Sequence, residues 1–259
     1  MRIIAIANQK GGVGKTTTAV NLSTALAATR KRVLLMDLDA QGNTTSHMMQ
    51  KSLFSFNSYT LLTLQSSLFE SIQTTFVPNL FLLPASSDLA ALDLELAHMP
   101  EREKRLKQAF SNFSLEKNKP RYDYVLIDCP PSLGVATLNA LVTAEAVLIP
   151  LQCEFFALEG LAQLLRIVQR VKRNFNLQLN ILGIVLTMFD TRNTLCRQVV
   201  QDVENHFHDT LFKTKIPRNV RISEAPSHGQ PVLLYDVRCS GSLAYINLAK
   251  EFLEREAQL

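Results

Sequence analysis

Short unbroken apolar runs recur along this chain, and between them apolar positions return every three to four residues. The runs at 2–8, 32–37, 80–84, 123–128, 146–151 and 180–187 predict strands. The stretches 15–29, 86–97, 101–115, 134–143, 157–173, 194–206 and 241–256 predict amphipathic helices. Strands that are apolar throughout are buried on both faces. Their interleaving with helices therefore predicts an α/β fold of three layers, a mostly parallel sheet with helices on both sides. Residues 44–76, rich in Ser, Thr and Gln, follow neither period and are expected to form short helices over the sheet's edge. No long linker or internal repeat breaks the pattern, so residues 1–259 are expected to form one domain. With the first strand opening at residue 2, no separate DNA-reading domain is expected before it.

The first run, Ile3-Ile4-Ala5-Ile6-Ala7, leads into Lys10-Gly11-Gly12-Val13-Gly14-Lys15-Thr16-Thr17. Ala19, Leu22, Ala25 and Leu26 follow at helical spacing. Strand, glycine-rich turn and helix together make a phosphate loop: glycines let backbone N–H groups close on phosphate oxygens, and the helix N-terminus adds partial positive charge. Lys15 is placed to reach the β- and γ-phosphates and Thr16 to coordinate Mg²⁺. The strict pattern has glycine where this chain has Gln9, and the loop carries an additional lysine, Lys10. Asp128 ends an apolar strand and is followed by two prolines. A buried strand-end charge is costly unless paired or close to a metal, so Asp128 is read as an outer-shell Mg²⁺ ligand. Asp37 has two readings: support for Mg²⁺ waters or the loop lysines, or a carboxylate capping the next turn.

The loop resembles the deviant Walker A box of the ParA/MinD group of P-loop ATPases. Val33-Leu34-Leu35-Met36-Asp37-Leu38-Asp39-Ala40-Gln41-Gly42-Asn43 is similar to that group's second strand and first switch. Tyr124-Val125-Leu126-Ile127-Asp128-Cys129-Pro130-Pro131-Ser132 resembles its Walker B strand and second switch. Ile216-Pro217-Arg218-Asn219-Val220-Arg221-Ile222-Ser223-Glu224-Ala225-Pro226-Ser227 is similar to a segment of the Soj branch. The resemblance implies an ATPase using ATP and Mg²⁺, with Asp39 orienting or deprotonating the attacking water. It also implies an ATP-dependent homodimer in which Lys10 crosses to the partner's phosphates, as an arginine finger does. Gly11, Gly12, Val13, Gly14 and Thr17 complete the phosphate cradle. Pro217, Arg218 and Asn219 would meet the adenine, and Glu154 the partner's ribose. Arg192 and Arg221 match positions that bind double-stranded DNA non-specifically, with Lys213 and Lys215 between them in sequence. A ParB-like protein would stimulate hydrolysis, and the ATPase would serve chromosome or plasmid partition.

Composition changes this picture little. Hydrophobic residues make up 47% and charged residues 19%, a globular balance. The net charge of +4 permits nucleic-acid binding without demanding it. The four cysteines, at 129, 153, 196 and 239, contain no Cys-x-x-Cys pair, which fits a reducing compartment. No charged leader or long apolar span is present, so the protein is expected to be cytoplasmic and, by the resemblance, nucleoid-associated. A MinD-like membrane-cycling ATPase is the alternative. It needs a basic amphipathic tail, whereas this tail sets Glu251, Glu254 and Glu256 against Lys250 and Arg255. The cluster Arg166, Arg170, Lys172 and Arg173 is read as the polar face of helix 157–173. An iron–sulfur ATPase would need a second cysteine to act with Cys129, and none is suitably placed.

Overall fold

A strand that is apolar on both sides needs cover on both sides, and residue alternation shows where that cover comes from. The computed structural model describes residues 1–49, 54–115, 120–154 and 156–257. Its strands are β1 (Arg2–Ile6), β2 (Val33–Asp37), β3 (Gln73–Thr74), β4 (Leu80–Leu83), β5 (Tyr124–Asp128), β6 (Ala146–Gln152) and β7 (Asn180–Thr187). Its helices are α1 (Lys15–Ala28), α2 (Asn43–Met48), α3 (Ser58–Leu62), α4 (Leu68–Ser71), α5 (Leu92–Glu95), α6 (Arg105–Leu115), α7 (Val135–Thr143), α8 (Ala157–Asn174), α9 (Thr194–Phe207), α10 (Val220–Glu224), α11 (Val232–Tyr235) and α12 (Ser240–Glu256). Ile3, Ala5, Val125 and Ile127 point to one face, where Phe110, Leu141, Leu161, Leu164 and Val199 from α6 to α9 cover them. Ile4, Ile6 and Leu126 point to the other face, beneath Leu22 and Leu26 of α1 and Tyr245, Leu248 and Phe252 of α12.

The sheet runs β3-β4-β2-β5-β1-β6-β7, parallel except for β3, which pairs antiparallel with β4. This is the expected fold class. Register places the chemistry: Ile6 lies opposite Asp128 and Asp37 opposite Asp128, so β1, β2 and β5 end on one line. Ligands bind at the carboxyl edge of such sheets because the loops there diverge.

Several expected boundaries move. The strand expected at 2–8 stops at Ile6, because Asn8 turns aside to donate its Nδ2 to the Pro150 carbonyl at 2.8 Å. The helix expected at 86–97 becomes a 3₁₀ turn, Ser87–Ala91, followed by the single turn α5. The helix expected at 101–115 starts late: Glu101 has φ 53°, and a 3₁₀ turn at Arg102–Lys104 precedes α6. Within 44–76 the short helices are present, although 50–53 lie outside the described residues. That segment does more than cover the edge, since β3 is itself the edge strand. The short helices α10 and α11 fall where no helix was expected.

Candidate nucleotide site

Gly14, at φ 86°, lets the chain pass from loop into α1 through a left-handed turn that a side chain would strain. No side chain caps α1, which leaves its first backbone N–H groups directed at the loop. Gly12 takes a similar φ of 77°. Val13 is buried, and its carbonyl accepts the Thr187 hydroxyl at 2.8 Å, which ties the loop to the end of β7. Asn8 fixes the loop's start by accepting the Lys10 N–H on Oδ1 at 3.1 Å.

The two lysines of the loop differ. Lys15 is only 7% exposed and donates its Nζ to the Lys10 carbonyl at 3.0 Å. Burial lowers its pKa, and the nearby Asp128 works in the opposite direction. The Lys10 side chain is 44% exposed at the loop's mouth and forms an ion pair with Glu154 of the same chain.

Asp128 sits 1% exposed at the end of β5. Its Oδ2 accepts the Thr16 hydroxyl at 2.8 Å and the Thr44 hydroxyl at 2.7 Å. Its Oδ1 is buried without a hydrogen-bond partner among the described residues. Burial pushes this carboxyl up to about 7, with Asp37 adding repulsion. Such a carboxylate gains most from a cation, and a hydroxyl on Thr16 beside it is the donor set expected for Mg²⁺ on phosphate. The residues present therefore fit Mg²⁺ with a nucleotide.

Asp37 caps the turn that follows it. Its Oδ2 accepts the N–H and hydroxyl of Thr45 at 2.8 and 2.7 Å, and its Oδ1 accepts the Asp39 N–H at 3.1 Å. Of the two readings of Asp37, the capping one describes these contacts. Burial raises its pKa to about 6 against the opposing effect of those hydrogen bonds. Asp39 is half-buried and steadied through Oδ1, which accepts the Gln41 N–H at 3.0 Å. Thr17 lies in the first turn of α1 beside Thr16, with its carbonyl bonded to the Asn21 side chain.

The remaining candidates lie around this centre. Pro217 bridges Phe189, two residues past Thr187, and the Arg218 N–H donates to the Phe189 carbonyl, so 217–219 flanks the loop's β7 side. Asn219 caps α10 by accepting the Arg221 and Ile222 N–H groups. Arg192 is bound to Asp190 through Nε and Nη2 at 3.0 and 2.8 Å, and Arg221 pairs with Glu224 at 2.9 Å. Lys215 is paired with Glu204 at 3.2 Å. Thr44, Asn8 and Thr187 touch Asp128 or the loop and carried no sequence signal: single polar residues beside strand ends have no period to betray them.

Among the described residues no helix is long and apolar enough to cross a membrane. A family model for an AAA domain matches residues 1–181. The chromosome partitioning protein ParA of Caulobacter vibrioides is 51% identical over 257 residues, covering 99% of this chain and 95% of that protein. The sporulation initiation inhibitor protein Soj of Bacillus subtilis is 51% identical over 251 residues, covering 96% and 97%. Among solved structures, a cobyrinic acid a,c-diamide synthase from Mycobacterium smegmatis with bound ADP and magnesium superposes with a TM-score of 0.85 at 34% identity, covering 99% of this chain and 96% of that one. With near full-length identity to these partition proteins and a phosphate loop at the carboxyl edge of a parallel sheet, the chain belongs to the ParA/Soj family of chromosome-partitioning ATPases.

Proposed function

We propose that residues 1–259 act as one ATPase domain that switches between a free chain and an ATP-bound, DNA-binding homodimer in chromosome or plasmid partition. The observation that carries this reading is the contrast between the two loop lysines. Lys15 lies buried within the loop, a position that suits the nucleotide of its own chain. Lys10 stands at the mouth, its side chain paired with Glu154, and in this reading it exchanges that carboxylate for phosphates of a facing copy. Two facing triphosphates repel, so a cation supplied across the interface makes dimerisation depend on ATP and adds charge stabilisation to the transition state. Thr16 and Asp128 would hold Mg²⁺, whose chemistry is to neutralise charge on the β- and γ-phosphates. Asp39, held by the Gln41 N–H, would orient the attacking water.

In the same reading, Gly11 to Gly14 and Thr17 cradle the phosphates, Pro217, Arg218 and Asn219 border the base, and Glu154 turns to the partner's ribose once Lys10 leaves it. Arg192 and Arg221 bind duplex DNA without regard to sequence, and a ParB-like partner speeds hydrolysis and release. The cytoplasm, on the nucleoid, is the corresponding location. The membrane-cycling alternative loses its main requirement, because Tyr245, Leu248, Ala249 and Phe252 of α12 are buried in the core and not offered to lipid.

The test is duplex-DNA binding with ATP, with ADP and without nucleotide over a salt series. Asp39→Ala should accumulate as a DNA-bound ATP dimer with slow turnover. Lys15→Ala should lose ATP binding and, with it, DNA binding. Salt-sensitive binding seen equally in all three nucleotide states would refute the switch, and so would an Asp39→Ala protein that binds ATP but stays monomeric by size-exclusion chromatography.

A further inference from the structure

Some of the chain's cations are neutralised by its own carboxylates. Arg192 is matched by Asp190, Arg221 by Glu224, Lys215 by Glu204 and Arg255 by Glu251. The helix α8 is different. Its inner stripe, Ala157, Leu161, Leu164, Val168 and Val171, is buried. Its outer face exposes Arg166, Arg170 and Arg173. Among the described residues none of the three pairs with a carboxylate, and Arg166 bonds only the Ala162 carbonyl of its own helix, at 3.3 Å. The single acidic residue of α8 is Glu159, seven positions before Arg166. Lys172 beside them is held by the neutral Asn180 side chain at 2.6 Å, so its charge also stays unmatched.

Solvated helix faces ordinarily mix the two signs. Here one sign follows one ridge, with arginines spaced four and then three residues apart, about 10 Å from first to last at about 1.5 Å per residue. Each guanidinium offers several N–H donors in a fixed plane suited to phosphate oxygens. Gln163 and Gln169, exposed along the same face, supply the neutral donors that also bond phosphates. The complement of such a ridge is a regular row of negative charges.

We infer that the outer face of α8, through Arg166, Arg170 and Arg173, docks the sugar–phosphate backbone of duplex DNA as a surface additional to Arg192 and Arg221. This inference rests on the reading of the chain as a DNA-binding switch. Because the three α8 arginines have no internal carboxylate to leave, they engage phosphate more readily than Arg192 or Arg221. The contacts are to backbone alone and carry no base preference.

The test uses the full chain with ATP and duplex DNA of two unrelated sequences over a salt series. The triple variant Arg166→Ala, Arg170→Ala, Arg173→Ala keeps helix-favouring residues on an exposed face, so its thermal midpoint and ATP-dependent dimerisation should match wild type. Its DNA affinity should fall by about tenfold or more, and its log–log salt slope by about three if one protomer's ridge is engaged. The matching triple lysine variant should recover most of the slope, since it restores charge. Wild-type affinity and slope in the triple alanine variant would overturn the ridge while leaving the proposed function standing. Loss of stimulation by a ParB-like protein with DNA binding intact would overturn it in favour of an acidic protein surface. A wild-type chain that binds no duplex in any nucleotide state would overturn both.

Discussion

Asp37 and Asp128 end neighbouring strands in register, both fully enclosed, and their pKa values rise to about 6 and about 7. Desolvation is the main cause for each, and in the unfolded chain both return to the ordinary carboxylate range. Between about pH 4 and pH 7 the folded state therefore holds more protons than the unfolded one, so stability from this pair is present below that window and lost as pH rises through it. In chelator, the thermal midpoint of the free chain should fall from pH 5 to pH 8, and Asp128→Asn should flatten the decline. Mg²⁺ with nucleotide should flatten it too, because a cation favours the carboxylate. A midpoint that climbs with pH in chelator would show that the pair is not held as described. Asp128 was legible in the sequence as a charge at the end of an apolar strand; its Thr44 partner was not, since the contact joins residues 84 positions apart.

The phosphate loop, as an element, has positions that need glycine and one that does not. Gly12 and Gly14 hold φ of 77° and 86°, a conformation that costs a side-chain-bearing residue about 1–2 kcal/mol. Gly11 lies outside that region, and a Cβ built on it meets nothing within 4 Å. Gly11→Val should therefore fold and bind ATP like wild type while failing to dimerise, because the added bulk lies beside Lys10 at the surface offered to a second copy. Equilibrium nucleotide binding and sedimentation with ATP separate the two effects; a loss of ATP affinity equal to that of Lys15→Ala would show that the cradle cannot accept a side chain at Gly11. The long elements were readable because their apolar period is set by burial: α8, α9 and α12 fall within two residues of expectation. The segments read less well are governed by single contacts. Asp93 accepts the Val135 N–H at 2.6 Å and so draws α5 toward the start of α7, ending what its periodicity alone would extend. The strand β3, two residues long, is made by its neighbour β4 and has no pattern of its own.

Across the whole molecule, Arg192 and Arg221 are matched by Asp190 and Glu224, so in the proposed function phosphate would have to displace those carboxylates, whereas the α8 arginines have none to leave among the described residues. Arg192→Ala and Arg221→Ala should each weaken ATP-dependent DNA binding, and in a dimer each should lower the log–log salt slope by about two at most. ATP affinity and dimerisation should be unchanged, and the weakening should be alike on unrelated duplexes; wild-type binding by both variants would move the contact surface away from them. The candidate DNA arginines were visible in the sequence only through resemblance, since no basic run marks them. Their neutralisation by Asp190 and Glu224 emerges only from the fold. The sheet order carries a further consequence, in time. β1 lies between β5 and β6 and is synthesised before both, so it has no neighbour until residues 124–128 exist. At about 5–20 residues per second, that leaves the strand bearing the nucleotide loop unpaired for roughly 6–24 s on the ribosome. ATP therefore cannot brace the nascent chain during that interval, and shelter for an apolar segment must come from the tunnel or a chaperone until the sheet closes around it.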